Sequence, residues 1–293
     1  MSRLEVLKTY KIYIGGQFPR TESGRYYSPA DKKGKPLGNI CLSSRKDVRN
    51  AVVAARKAFG GWSERTAFNR GQILYRIAEM LEGRREQFIS ELLAQGSTKI
   101  AAETEVTRAI DRIVYYAGWC DKYQQILSSV NPVASSHFNF SVVEPTGVVG
   151  IVAPQESALI GLVSLIMPVI CGGNTCVVVA SENLPLCAIT FAEVLNSSDL
   201  PGGVVNILTG TNLELNNVLA THMDVNAVVY GGNDEDALKS IQESSVLNVK
   251  RIIPQRKEWM ESNSQDLYLI SDTQEVKTTW HPIENIGGAS SSY

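Results

Sequence analysis

Five cysteines (Cys41, Cys120, Cys171, Cys176 and Cys187) and three histidines (His137, His222 and His281) are the side chains here with the readiest nucleophilic or metal-binding chemistry. A reactive thiolate needs an electropositive, partly open surrounding, and a zinc site needs paired ligands at short spacing. Neither pattern is present. The cysteines are odd in number, irregularly spaced and form no C-x-x-C pair, so no disulfide framework and no metal site are expected. Cys171 and Cys176 fall in an apolar helix–strand context, where a thiol packs as a small hydrophobe. The one dense basic stretch, Lys32, Lys33 and Lys35, lies among Gly and Pro and reads as a solvated loop, not a phosphate site.

Composition narrows the function classes. Lys+Arg 28 against Asp+Glu 30 leaves a net charge of −2, which argues against a bulk nucleic-acid or membrane-surface binder. An apolar content of 44% with 20% charged residues fits a globular protein with a sizeable core. No apolar stretch reaches the roughly 20 residues that span a bilayer, and none follows a basic N-terminus as a signal peptide would. The expectation is a cytoplasmic protein with reduced, buried thiols.

The elements that would position any site fall into two groups. Residues 45–59 repeat Val48, Val52, Ala55 and Phe59 at helical spacing, with Gly60 and Gly61 expected to end the run. Residues 68–93 form a second helix, kinked or broken at Gly83, and residues 99–126 a third. Before them, residues 11–18 (KIYIGGQF) read as two short strands about a Gly-Gly turn. The pattern changes at Asn131. Residues 137–143 alternate Phe138, Phe140 and Val142 with polar neighbours, as a half-buried strand does. Short Val/Ile runs then follow at 148–153, 175–180, 204–208, 227–230 and 249–253, separated by helical segments. Such alternation predicts an α/β, doubly wound parallel sheet of Rossmann-like type, covered on both faces, with its ligand site at the strands' carboxyl ends. Beyond Pro254 no further βα unit is expected; residues 267–280 can form one or two strands, and the Gly/Ser-rich end at 287–293 reads as a flexible tail.

Several strings resemble the aldehyde dehydrogenase superfamily in order and spacing: ARKAFGGW (55–62), YYAGWCDK (115–122), EPTGVVG (144–150), GNT (173–175) and PGGVVNILTG (201–210). They cover the cofactor-binding half of such an enzyme. TQEVKT (273–278) resembles the family's C-terminal oligomerisation strand. In full-length members a catalytic domain carrying the nucleophilic Cys lies between that half and that strand, whereas here residues 255–272 alone bridge the gap. The resemblance therefore implies a truncated, non-catalytic member, similar to the degenerate second module of two-module aldehyde dehydrogenases. The implied organisation is a discontinuous cofactor-type domain over 1–131 and 146–258, an oligomerisation arm over 132–145 and 265–282, and a flexible tail over 283–293.

The family's chemistry can be followed residue by residue. It needs a thiolate nucleophile, an oxyanion donor, a nicotinamide cofactor and a carboxylate that activates water. No cysteine follows the family's glycine-rich catalytic motif. The oxyanion amide of its Pro-Trp-Asn-Phe-Pro string aligns with Glu156, a carboxylate that repels a developing alkoxide. The water-activating Glu aligns near Gln255, and an amide is no general base. No catalytic residue is therefore assigned.

Cofactor binding is eroded as well. Of the Lys and Glu that hold the ribose hydroxyls in the family, only Glu182 survives; it is a ribose ligand or an exposed remnant. The pyrophosphate turn aligns with Gly232 and Asn233, followed by Asp234, Glu235 and Asp236. Either this is a degenerate phosphate site, or Asn233 caps a helix whose dipole the acids complement. No cofactor is expected, with NAD or NADP as the weaker alternative. The leading expectation is an assembly or regulatory subunit that pairs by strand addition with a full-length aldehyde dehydrogenase or with itself. The alternatives are an NAD(P)-dependent aldehyde oxidoreductase whose catalytic residues come from a partner, and a nucleotide-binding sensor.

Overall fold

A computed structural model describes residues 6–283. The chain begins with a small sheet of β1 (Thr9–Tyr10), β2 (Tyr26–Tyr27) and β3 (Asn39–Cys41), in which β3 lies between the other two. Helices α1 (Arg45–Ser63), α2 (Ala67–Glu82), α3 (Arg85–Ala94), α4 (Lys99–Trp119) and α5 (Tyr123–Leu127) follow. Next come β4 (Ser129–Asn131), β5 (His137–Pro145) and β6 (Val148–Val152). The alternating series continues with α6 (Ile160–Cys171), β7 (Thr175–Val179), α7 (Leu186–Asn196) and β8 (Val205–Leu208). It closes with α8 (Asn212–Thr221), β9 (Ala227–Tyr230), α9 (Glu235–Ser245) and β10 (Arg251–Pro254). A short α10 (Tyr268–Ser271) leads into β11 (Gln274–Pro282).

The five expected parallel strands form one sheet in the order β10-β9-β6-β7-β8. Every residue of β6, β7, β8 and β9 is buried, which explains their near-continuous Val/Ile composition. Val149 and Ile151 pack into the cluster shared with α2, α3, α4, α6 and α7. Their neighbours Val148 and Val152 pack into the opposite cluster, with α1, α8 and α9. The period of two along a strand thus feeds two cores.

Four local expectations are corrected. The Gly60-Gly61 pair does not end α1, which runs on to Ser63. Two helical glycines cost about 2 kcal/mol. Carrying the helix past them buries the Trp62 ring, 1% exposed, whose Nε1 donates to the Ile170 carbonyl at 3.0 Å. An indole of roughly 200 Å² at ~25 cal/mol per Å² is worth ~5 kcal/mol, so the burial wins. The third helix is two: α4 stops at Trp119, and α5 restarts where Tyr123 turns inward. In residues 11–18 only Ile14 and Gln17 bridge each other around Gly15 and Gly16, whose φ values are +61° and +82°. Tyr13 instead pairs with Ile207 and covers the outer edge of β8. Residues 267–271 form a helical turn, and β11 is a single strand.

The second sheet has the order β11-β5-β4, and β11 pairs with β5 over nine residues, from Gln274 opposite Pro145 to Pro282 opposite His137. Both edges of β5 are therefore occupied, by β11 and by β4, so the strand addition expected of the 132–145 arm finds no open edge on β5. No described strand pairs with the outer side of β11. The alternation in β5 is also inverted relative to a simple half-buried strand. Asn139 is 3% exposed and Phe138 45%. A ladder of polar side chains explains the inversion: Asn131 Nδ2 donates to Asn139 Oδ1 and Ser141 Oγ, and Ser141 meets Thr278 at 2.8 Å. Val130, Phe138, Phe140 and Val142 consequently share the other face. The tail at residues 287–293 lies outside the described residues.

Candidate functional site: the crevice at the carboxyl ends of the strands

The chain leaves β6 for β7 on one side and later returns to β9 on the other, so the topological switch point lies between β6 and β9. The loop after β6 ties both walls of that crevice together. Gln155 Oε1 accepts the Glu182 amide at 2.9 Å, and Ser181 Oγ donates to the Gln155 carbonyl at 3.1 Å. One residue later, Glu156 Oε1 accepts from Asn233 Nδ2 at 3.1 Å. The three residues singled out in the sequence, Glu182, Gly232 and Asn233, thus sit at the ends of β7 and β9 with residues 155–156 between them.

Each of the helix N-termini that open onto this end of the sheet after β6, β8 and β9 already receives a carboxylate. Glu105 Oε1 accepts the Leu159 and Ile160 amides at 2.9 and 3.1 Å at the start of α6. Glu182 Oε2 accepts the Asn212 amide at 3.0 Å at the start of α8, and its backbone carbonyl accepts from the Tyr27 hydroxyl. Glu182 is half-buried, not an exposed remnant. At α9 the cap is Asp234, whose Oδ1 accepts from the Asp236 and Ala237 amides at 2.9 and 3.1 Å. Asn233, expected as that cap, points its amide to Glu156 instead. A carboxylate satisfies the free N–H groups better than an amide and complements the dipole, so the neighbouring acid takes the position.

Gly232 has a reason of its own to be glycine. A Cβ there would lie 2.6 Å from the Tyr230 hydroxyl, which donates to the Asp234 carbonyl at 3.0 Å. The Tyr230 phenol therefore occupies the space beside the Gly232 backbone. The open part of the crevice is a cavity of about 420 Å³ lined by Glu105, Glu156, Ser157, Asn233, Arg256 and Trp259 among others. Its cations are engaged: Arg256 pairs with Glu235 at 2.6 Å and Lys257 with Asp266 at 2.6 Å.

The catalytic positions follow the same trend. All five cysteines are buried and unbridged, and burial pushes the thiols of Cys171, Cys176 and Cys187 up, away from the thiolate. Gln255 turns away from the cavity, its Nε2 donating to Asp272 Oδ2 at 2.8 Å. No group of three or more His, Cys, Asp or Glu among the described residues could hold a metal ion. No described helix is long and apolar enough to cross a membrane.

Two residues escaped the sequence reading. Glu105, which receives the first amides of α6, carries no motif. Arg112 does leave a signal, a cation on the apolar face of α4 beside Ala109, Ile113 and Tyr116.

Known proteins resemble the chain over most of its length. Residues 19–256 match the aldehyde dehydrogenase family. The chain belongs to that family. It is 33% identical over 260 residues to mouse cytosolic 10-formyltetrahydrofolate dehydrogenase, a match that covers 86% of this chain and 29% of that protein. It is 31% identical over 250 residues to the putative aldehyde dehydrogenase DhaS of Bacillus subtilis, covering 83% of this chain and 50% of the relative. Among solved structures, the NAD+ complex of a Bacillus cereus aldehyde dehydrogenase superposes with a TM-score of 0.80 at 25% identity, over 85% of this chain and 51% of that one. HpcC of Thermus thermophilus gives 0.81 at 28% identity, over 85% and 48%. This aldehyde dehydrogenase family chain therefore spans between 29% and 51% of the length of these relatives.

Proposed function

We propose that this chain is a non-catalytic aldehyde dehydrogenase family subunit that works by assembly, docking through residues 132–145 and 265–282 onto a full-length aldehyde dehydrogenase or a second copy of itself. Residues 1–131 and 146–258 serve as its scaffold, a cofactor-type domain without the reaction. The observation that carries this reading is the crevice filled by the chain's own carboxylates. Glu105, Glu182 and Asp234 take the amides that would otherwise attract an anion. A pyrophosphate brought there meets negative charge and spent donors, so the residues present do not fit a dinucleotide. The arm supports the second half of the reading. Along its outer strand β11 one edge meets no described strand, and its outward face carries Val130 at 68% and Phe138 at 45% exposure. The buried reduced thiols suit a reducing compartment such as the cytoplasm.

Native mass spectrometry of the full chain, alone and mixed with an active aldehyde dehydrogenase, tests the proposal. The expected result is a homo-oligomer or a mixed complex that a Val130→Ser, Phe138→Ser variant loses without unfolding. A monomer at micromolar concentration in both samples sinks it. One observation favours a second reading, nicotinamide binding: Glu182 remains at the end of β7, and a relative forms an NAD+ complex. A fluorescence titration with NAD and NADP distinguishes the two, since saturable binding lost on Glu182→Ala supports the second. Aldehyde oxidation that appears only in the mixed complex and needs this chain would add a partner-completed active site.

A further inference from the structure

Cys120 and Cys171 are far apart in sequence, yet their sulfurs lie 3.5 Å apart, where the end of α4 meets the end of α6. A disulfide needs sulfurs at about 2.05 Å, so a movement of about 1.5 Å shared between two side chains joins them. Of the two, Cys120 lies nearer the surface: although only 2% exposed, it lines a surface cleft of about 160 Å³ with Ala67, Gly71, Tyr75, Ala117 and Gly118. A Cβ at Gly71 would lie 3.2 Å from the Ala117 carbonyl oxygen and 3.7 Å from the Cys120 Cβ. Cys171 is fully enclosed behind it. Burial pushes its thiol up, opposed in part by the nearby Arg70 guanidinium.

We propose that Cys120 and Cys171 form a two-thiol redox site, oxidised by a small hydroperoxide to a disulfide that staples α4 to α6. Cys120 attacks the distal peroxide oxygen; the O–O bond breaks, hydrogen peroxide is reduced to water, and Cys120 becomes a sulfenic acid. Cys171 sulfur then attacks the Cys120 sulfur, forming the S–S bond and breaking S–O. The departing hydroxide takes the Cys171 proton and leaves as the second water. Two thiols are oxidised, and one peroxide is consumed.

The position gives the staple its effect. Cys120 immediately precedes the turn into α5 and β4, and Cys171 precedes Gly172. The Gly172 carbonyl accepts from Gln274 Nε2 at 3.1 Å, at the first residue of β11, and from the Tyr123 hydroxyl at 3.5 Å. Both roots of the three-stranded sheet therefore converge on this pair, and the cross-link stiffens them whether or not β11 docks a partner.

The test treats the folded full chain with hydrogen peroxide, blocks free thiols and maps peptides without reduction. The expected product is a 120–171 cross-link with a loss of two hydrogens from the intact mass. It is absent from Cys120→Ala and Cys171→Ala and retained in Cys176→Ala. Hydrogen exchange of the oxidised protein is expected to slow in residues 123–127 and 274–276. Oxygen addition to Cys120 with no cross-link, or a cross-link formed only in urea, overturns the proposal. Unchanged exchange after complete oxidation overturns the stiffening. Because wild-type mapping alone decides the chemistry, a variant that fails to fold leaves the test intact.

Discussion

Glu91 shows how far this chain tolerates a buried carboxylate outside the crevice. Its Oε1 accepts from the Tyr10 and Thr190 hydroxyls at 3.0 and 2.7 Å, while Oε2 has no hydrogen-bond partner. Burial pushes its pKa above the usual carboxylate range, and the hydroxyls and Lys8 pull back only part of the way. A folded-state pKa above the unfolded value means that the native state holds the proton more tightly. Native stability therefore falls as pH rises from the ordinary Glu value to the raised one. Glu91→Gln keeps the acceptor and removes the charge. It is expected to raise the melting temperature at pH 7, with the gain vanishing below about pH 4; equal gains at both pH values would place the effect elsewhere. Asp234, by contrast, is an exposed cap that accepts two helix amides. Asp234→Ala should cost about 1 kcal/mol in a denaturant titration, whereas Asn233→Ala should cost less, because Asn233 contacts Glu156 and not the helix.

Helix α1 carries the prediction at the scale of elements. A Cβ built at Gly60 or Gly61 meets nothing within 4 Å, although both lie inside a continuous helix. Gly60→Ala and Gly61→Ala should each stabilise the protein by about 0.5–1 kcal/mol, read as a rise in the urea midpoint with an unchanged slope. The same helix marks the limit of local reading. Glycine is a valid stop signal when only neighbours in sequence are weighed, but Trp62 finds its pocket against Ile170 on α6, a contact that no local pattern reports. The five parallel strands were legible because strands buried on both faces leave continuous Val/Ile runs. The β5 pattern misled because buried Asn139 is held through its Oδ1 by Asn131 Nδ2, which also donates to Ser141. A polar side chain bonded across strands looks identical in sequence to one facing water. Within the site, Glu182, Gly232 and Asn233 lie near the strand ends beside residues 155–156; Glu105 was illegible because its partners lie some fifty residues away.

At the scale of the whole molecule, the question is what covers the flank of α4 and α6. The family match ends at residue 256, and the next residues fold back as a strap. Trp259 is 5% exposed, and Arg112, 2% exposed on α4, pins the strap from below. Its guanidinium donates to the carbonyls of Trp259, Glu261 and Ser264 at 3.4, 3.1 and 3.3 Å, and to Ser164 Oγ at 2.6 Å. A buried cation survives only with such a set of acceptors, and backbone carbonyls supply them without a second buried charge. Arg112→Met preserves much of the volume but strands three carbonyls, at roughly 1 kcal/mol each or more. The strap carries its own probe, since Arg256 and Lys257 are trypsin sites. In the wild type these bonds should resist limited proteolysis, being fixed by Glu235, Asp266 and the pinned turn beyond. In Arg112→Met, cleavage at 256 and 257 should accelerate at least tenfold while the parallel sheet stays folded by circular dichroism. A variant cut no faster than wild type would mean that Trp259 alone holds the strap, and Trp259→Ala would then reproduce the release.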